Sequence, residues 1–152
     1  MDKATLTKRY LAAAAAAGGI ITAIVFYTFI VEFLKHRGYT PPLVPPAAYV
    51  LKFALYLIGA SALAVLKLAG RAEAVKKPSP GETVLLLTRL ALLRAAVCEL
   101  PAVSGLILFI LTGYYWDFYL LAAFALVLEL ANFPRPGAWE ERLRSDFGRL
   151  PE

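Results

Sequence analysis

The chain reads as an all-α, polytopic membrane protein: four transmembrane helices in an antiparallel bundle, followed by a short C-terminal interfacial helix. Three observations predict this. Of 152 residues, 60% are hydrophobic and 18% charged, against about 45–50% and 25% in soluble domains. Apolar runs close to the roughly 20 residues that cross a hydrocarbon core recur four times. The segments between them are proline-rich, basic or aromatic, as membrane-surface turns are. The same composition excludes a disordered chain, a collagen-like fibre and a disulfide scaffold, since ten glycines fall without period and Cys98 is the single cysteine. With His36 as the one histidine, no haem or zinc site built on His and Cys fits within one chain, and no cofactor is expected.

One membrane domain covers 1–152, with spans at about 10–34, 47–70, 84–113 and 117–133 and a tail at 134–152. In the first span, Tyr10 to Val31 holds no charge in 22 residues, after a basic start of Lys3, Lys8 and Arg9. A cleaved signal peptide does not fit: the small residues Ala12 to Gly19 precede the apolar core, whereas Glu32, Phe33 and Leu34 stand where a cleavage site would be. The second span, Ala47 to about Gly70, carries Lys52 and Lys67 near its ends, within reach of the headgroups. The third, Val84 to Gly113, would be about 45 Å long, so its first turns, with Arg89, are expected at or beyond the interface. The fourth, Phe118 to Phe133, is short and is stopped by Pro134 and Pro136.

Between spans one and two, Gly38 to Pro46 is too rich in proline for helix and reads as an extended loop. Between two and three, Lys76 to Thr83 is a polar turn in which Ser79 or Thr83 could cap the next helix. Between three and four, Tyr114, Tyr115, Trp116, Phe118 and Tyr119 form an aromatic belt. Lysine and arginine counts orient the whole: with Arg89 and Arg94 set aside, eleven lie on the side of the termini and three (Lys35, Arg37, Lys52) on the other. Both termini are therefore expected in the cytosol of a bacterial cell, with the chain in the inner membrane. The net charge of +5 then matches anionic inner-leaflet lipid and calls for no nucleic acid. In the tail, Trp139, Leu143, Phe147 and Leu150 recur at helical spacing, which predicts a short helix lying on that leaflet.

Charges inside a membrane are costly and need a partner or a purpose. Counting about 1.5 Å per residue from the aromatic hairpin, Glu99 on span three and Glu129 on span four share a depth of about 18–21 Å. Arg94 lies about one and a half turns nearer the termini. Ala91, Ala95, Cys98, Ala102 and Gly105 form a small-residue seam along span three, flanked by Arg94 and Glu99, where helices could approach closely. Pro101 cannot donate to the helix ladder and is expected to kink span three beside Glu99. Three interpretations of Arg94, Glu99 and Glu129 stay open: an internal salt bridge that fixes packing, a titrating carboxylate that carries protons or cations, or side chains that snorkel towards lipid or pair with a partner's charge. Cys98 has no His or second Cys near enough in sequence to activate it, and reads as a packing residue. No Gly-rich phosphate loop or nucleophile elbow is present, so no catalytic residue is assigned.

At Glu99-Leu100-Pro101-Ala102-Val103-Ser104-Gly105-Leu106-Ile107 the chain resembles the ion-carrying helix of the proteolipid c subunits of rotary ATPases, whose pattern is E-x-x-A-x-x-G-L-I. That resemblance implies Glu99 as an ion ligand, although Ser104 stands where the family has tyrosine and Glu99 falls on the third span. Spans three and four, through Phe133-Pro134-Arg135, also look like those of a group of small bacterial four-span proteins, a likeness that implies a fold and no activity. Glutathione-dependent membrane transferases share the length and span number, but the asparagine and arginine pattern of their second span is absent. The expected function is that of a non-catalytic accessory or assembly subunit of a larger bacterial inner-membrane complex, with the lipid bilayer and other membrane subunits, or further copies of itself, as partners. The alternative is a self-assembling proton or cation conductor using Glu99.

Overall fold

The computed structural model describes residues 3–73 and 80–147. Among the described residues there are five helices and no strand: α1 (Lys3–His36), α2 (Ala47–Glu73), α3 (Pro80–Thr112), α4 (Tyr115–Asn132) and α5 (Pro136–Phe147). The first four are each long and apolar enough to cross a membrane. They alternate in direction. Leu6, Val84 and Trp139 meet at one end, called here the basic end. The α1/α2 loop meets the α3/α4 turn at the other, aromatic end, where the Leu43 amide donates to the Leu111 carbonyl at 3.0 Å.

Local chemistry sets the helix limits. α1 stops in a Schellman turn: Gly38 adopts φ +69°, its N–H donates to Lys35, and the Tyr39 N–H donates to Leu34, both at 3.1 Å. The α3/α4 turn needs Gly113 at φ +74°, and a side chain there would also meet Pro41 at 3.1 Å. α3 begins at Pro80, where a fixed φ and a missing N–H suit the first helical position. Thr83 therefore lies inside the helix, buried, and does not cap it. The other cap candidate, Ser79, lies outside the described residues.

α3 is the hub. α1, α2 and α4 all pack on it, while α1 and α2 hardly touch each other. Ala95, Cys98, Ala102 and Gly105 are buried along its seam, and a Cβ at Gly105 would meet Leu121 Cβ at 3.0 Å and the Phe118 backbone at 3.2 Å. Pro101 is buried within an unbroken α3. Gly59 of α2 sits against it, with room for a Cβ only 3.3 Å from Pro101 Cα. Ile24, Val31, Ala102, Phe109, Phe118, Ala122 and Ala125 form the main apolar cluster. On the faces turned outward, Phe26, Phe29, Phe53 and Leu57 are exposed, a surface that suits lipid and not water.

α5 docks on the bundle through Trp139. Trp139 turns into the protein, 7% exposed, in a cluster with Leu6, Ala13, Val84 and Leu87, its ring edge-on to Tyr10 at 5.9 Å. The ends of α1 and α3 extend past the apolar core and offer this tryptophan a protein surface. Leu150 lies outside the described residues.

Candidate functional site

α3 carries the predicted polar residues to two separate places. At mid-height, the Tyr27 hydroxyl of α1 donates to Glu99 Oε1 at 2.6 Å. Tyr27 belongs to the stripe Ile20, Ile24, Tyr27, Val31 and Leu34, which packs into the core at helical spacing. A half-buried Glu99 is thus held from its own chain by a phenol. On α4, Glu129 is 2% exposed, and its carboxyl lies within hydrogen-bonding reach of the Cys98 thiol. Its Oε2 is buried with no hydrogen-bond partner among the described residues. Glu99 and Glu129 are near enough for their charges to interact. Two carboxyls, a thiol and a phenol therefore share one level of the bundle.

Arg94 is placed lower. It is half-buried, bears electrostatically on the Cys98 thiol, and lines a cavity of about 350 Å³ at the basic end, together with Asn132, Arg135, Trp139 and Arg142. The small residues Ala95, Ala102 and Gly105, with Pro101, position these groups by letting α2 and α4 approach α3.

The aromatic end holds polar contacts that hydropathy alone does not expose. Lys52 has a partner within the chain: it meets Asp117 at 2.8 Å, with the two side chains 32% and 17% exposed. The Tyr56 hydroxyl donates to the same carboxylate at 2.6 Å. Tyr119 donates to Glu32, which also lies 3.8 Å from Lys35, and Lys35 stands over the Tyr115 ring at 4.6 Å. His36 is exposed. The usable sequence signal was the placement of single tyrosines on otherwise apolar core stripes.

Chemically, the mid-height level can exchange protons or anchor helices. It does not resemble a metal centre: among the described residues no group of three or more His, Cys, Asp or Glu could hold a metal ion. Compared with family models, curated proteins and solved structures, the chain matches none of them.

Proposed function

We propose that this chain is a non-catalytic membrane subunit, an accessory or assembly component of a larger complex in a bacterial inner membrane, with both termini cytosolic. The observation that carries the reading is the outer face of α1. Ala12, Ala15, Gly19 and Thr22 recur there at three- and four-residue spacing, all exposed, and no atom would obstruct a Cβ at Gly19 within 4 Å. Small residues at this spacing let a second membrane helix approach closely, whereas the comparable seam of α3 is already filled by α2 and α4. The distribution of basic residues, eleven against three, supports the orientation. A photo-cross-linking residue at Ala15 in the full chain, expressed in bacterial membranes, should trap one discrete protein identifiable by mass spectrometry. The same residue at lipid-facing Leu57 should trap none. No product at Ala15, with recovery of an isolated monomer in mild detergent, would reject the reading.

One observation favours a second function, the proton or cation conductor: Glu129 Oε2 is buried with no hydrogen-bond partner among the described residues, on a carboxyl whose charge interacts with that of Glu99. That reading expects Glu99→Gln to keep the fold and abolish pH-dependent flux in liposomes. The accessory reading expects no flux from the unmodified chain.

A further inference from the structure

The cavity at the basic end has a chemistry that the accessory reading does not use. α3 supplies Leu87 and Arg94, α4 ends on it through Ala131 and Asn132, and the Phe133-Pro134-Arg135 link leads into α5, which adds Ala138, Trp139 and Arg142. Arg135, Trp139 and Arg142 follow four- and three-residue spacing, so one face of the final helix and its approach addresses the cavity. Three guanidinium groups border it, and those of Arg94 and Arg142 each also make a contact within the chain. A volume of about 350 Å³, where about 10–15 Å³ of such space admits one water, has room for a phosphate ester and some hydration. Guanidinium is suited to such a group because its planar fork meets two oxygens at once. The position matters equally. Pro134 and Pro136 end the fourth apolar helix here, which places the cavity at the level of lipid phosphates, where basic pockets between membrane helices receive anionic headgroups.

We infer that this cavity is a binding site for a phosphate ester at the membrane surface, recognised through Arg94, Arg135 and Arg142. The chemistry is shared by an anionic phospholipid headgroup and a free phosphate, and the test separates them. Delipidated full chain in detergent is titrated with phosphatidylglycerol and with phosphatidylcholine, and bound lipid is counted by native mass spectrometry. Phosphatidylglycerol should be retained at least tenfold better. Exposed Arg135→Gln and half-buried Arg142→Gln should each lower that affinity about tenfold, the usual weight of a charge-assisted hydrogen bond. Arg144→Gln makes the same charge change on α5 outside the lining and should alter it less than about twofold. Arg135→Lys, which keeps the charge and loses the fork, should recover only part of the affinity. Inorganic phosphate at millimolar concentration is then added. Displacement of the lipid assigns the site to phosphate in general; retention of the lipid assigns it to the headgroup in its bilayer setting. Equal retention of the two lipids, or an Arg144→Gln effect as large as that of Arg135→Gln, would overturn the inference by reducing it to general surface charge. This outcome is independent of the cross-linking result at Ala15, so each idea can fail alone.

Discussion

Adding one methyl group at Gly105 measures how tightly α3 and α4 are joined. In Gly105→Ala the new Cβ would stand 3.0 Å from Leu121 Cβ, 3.2 Å from Phe118 Cα and 3.3 Å from the Phe118 carbonyl oxygen. Carbon pairs prefer about 3.5–4.0 Å, so α4 must give way by a few tenths of an ångström. No flexible side-chain end can give way, because two of the three atoms are backbone and the third is fixed to it. Retreat also loosens Phe118, Ala122 and Ala125, which are buried in the main cluster. Overpacking of this kind costs about 1–3 kcal/mol, opposed by about 1 kcal/mol of helix propensity gained when alanine replaces glycine. The propensity part can be removed by comparison. Gly18 is also inside a helix, and nothing lies within 4 Å of its added Cβ, so Gly18→Ala keeps the gain without the clash. Gly105→Ala should therefore be less stable than Gly18→Ala, by about 1–3 kcal/mol. At about 2–4 °C per kcal/mol for a chain of this length, thermal unfolding in detergent followed by circular dichroism should separate them by roughly 2–12 °C. If Gly105→Ala and Gly18→Ala shift the midpoint equally, the close contact of α3 with α4 is wrong.

Further outcomes follow from the same contacts. Tyr27→Phe removes the donor to Glu99 and should cost about 0.5–1.5 kcal/mol in the same thermal assay, while Tyr49→Phe, whose hydroxyl lies on an exposed residue, should change little. Asp117→Asn weakens the tie to Lys52 and Tyr56; it should lower the midpoint by the equivalent of about 1 kcal/mol, and a midpoint unchanged at low salt would count against that ion pair. Trp139→Ala should detach α5 and expose it to limited proteolysis after Arg142 or Arg144 without unfolding α1 to α4; protection equal to the unmodified chain would refute the docking of α5 through Trp139. Reporter fusions after Glu152 and after Pro42 should give opposite sidedness, and the same compartment for both would refute the topology.

The helical bundle was legible in the sequence because lipid imposes a length and an apolar composition on each crossing segment. The polar ties were less legible. Glu99 and Glu129 share a depth when counted along straight helices, with Arg94 about one and a half turns from them, but depth does not fix the rotation of one helix against another. Rotation decides that Glu99 meets Tyr27 of α1 and that Glu129 faces Cys98. The Ile20-Ile24-Tyr27-Val31-Leu34 stripe contained the necessary information, since a phenol on a core stripe needs a polar partner. Lys52 was harder, because a lysine near a span end satisfies itself equally well in headgroups or on an aspartate such as Asp117. Trp139 shows a similar ambiguity: the periodicity of α5 identifies an apolar face, and only the overhanging ends of α1 and α3 determine that this tryptophan meets protein.

The three phenol-to-carboxylate bonds suggest how four apolar helices choose one arrangement. Between helices surrounded by lipid the hydrophobic effect gives little preference, so small-residue packing and hydrogen bonds must decide the partners. Packing decides for α3, whose buried Ala102 and Gly105 admit α1, α2 and α4. It decides little between the outer helices, which share less surface. The phenol bonds fall where packing leaves that choice open. Tyr119 of α4 reaches Glu32 of α1, and Tyr56 of α2 reaches Asp117 of α4. The third, Tyr27 to Glu99, fixes the rotation of α1 on the hub. A carboxylate that anchors its own bundle in this way has a purpose without any transported ion. This is why the internal ties, together with the bare small-residue lane of α1, weigh towards an assembly subunit and against a conductor.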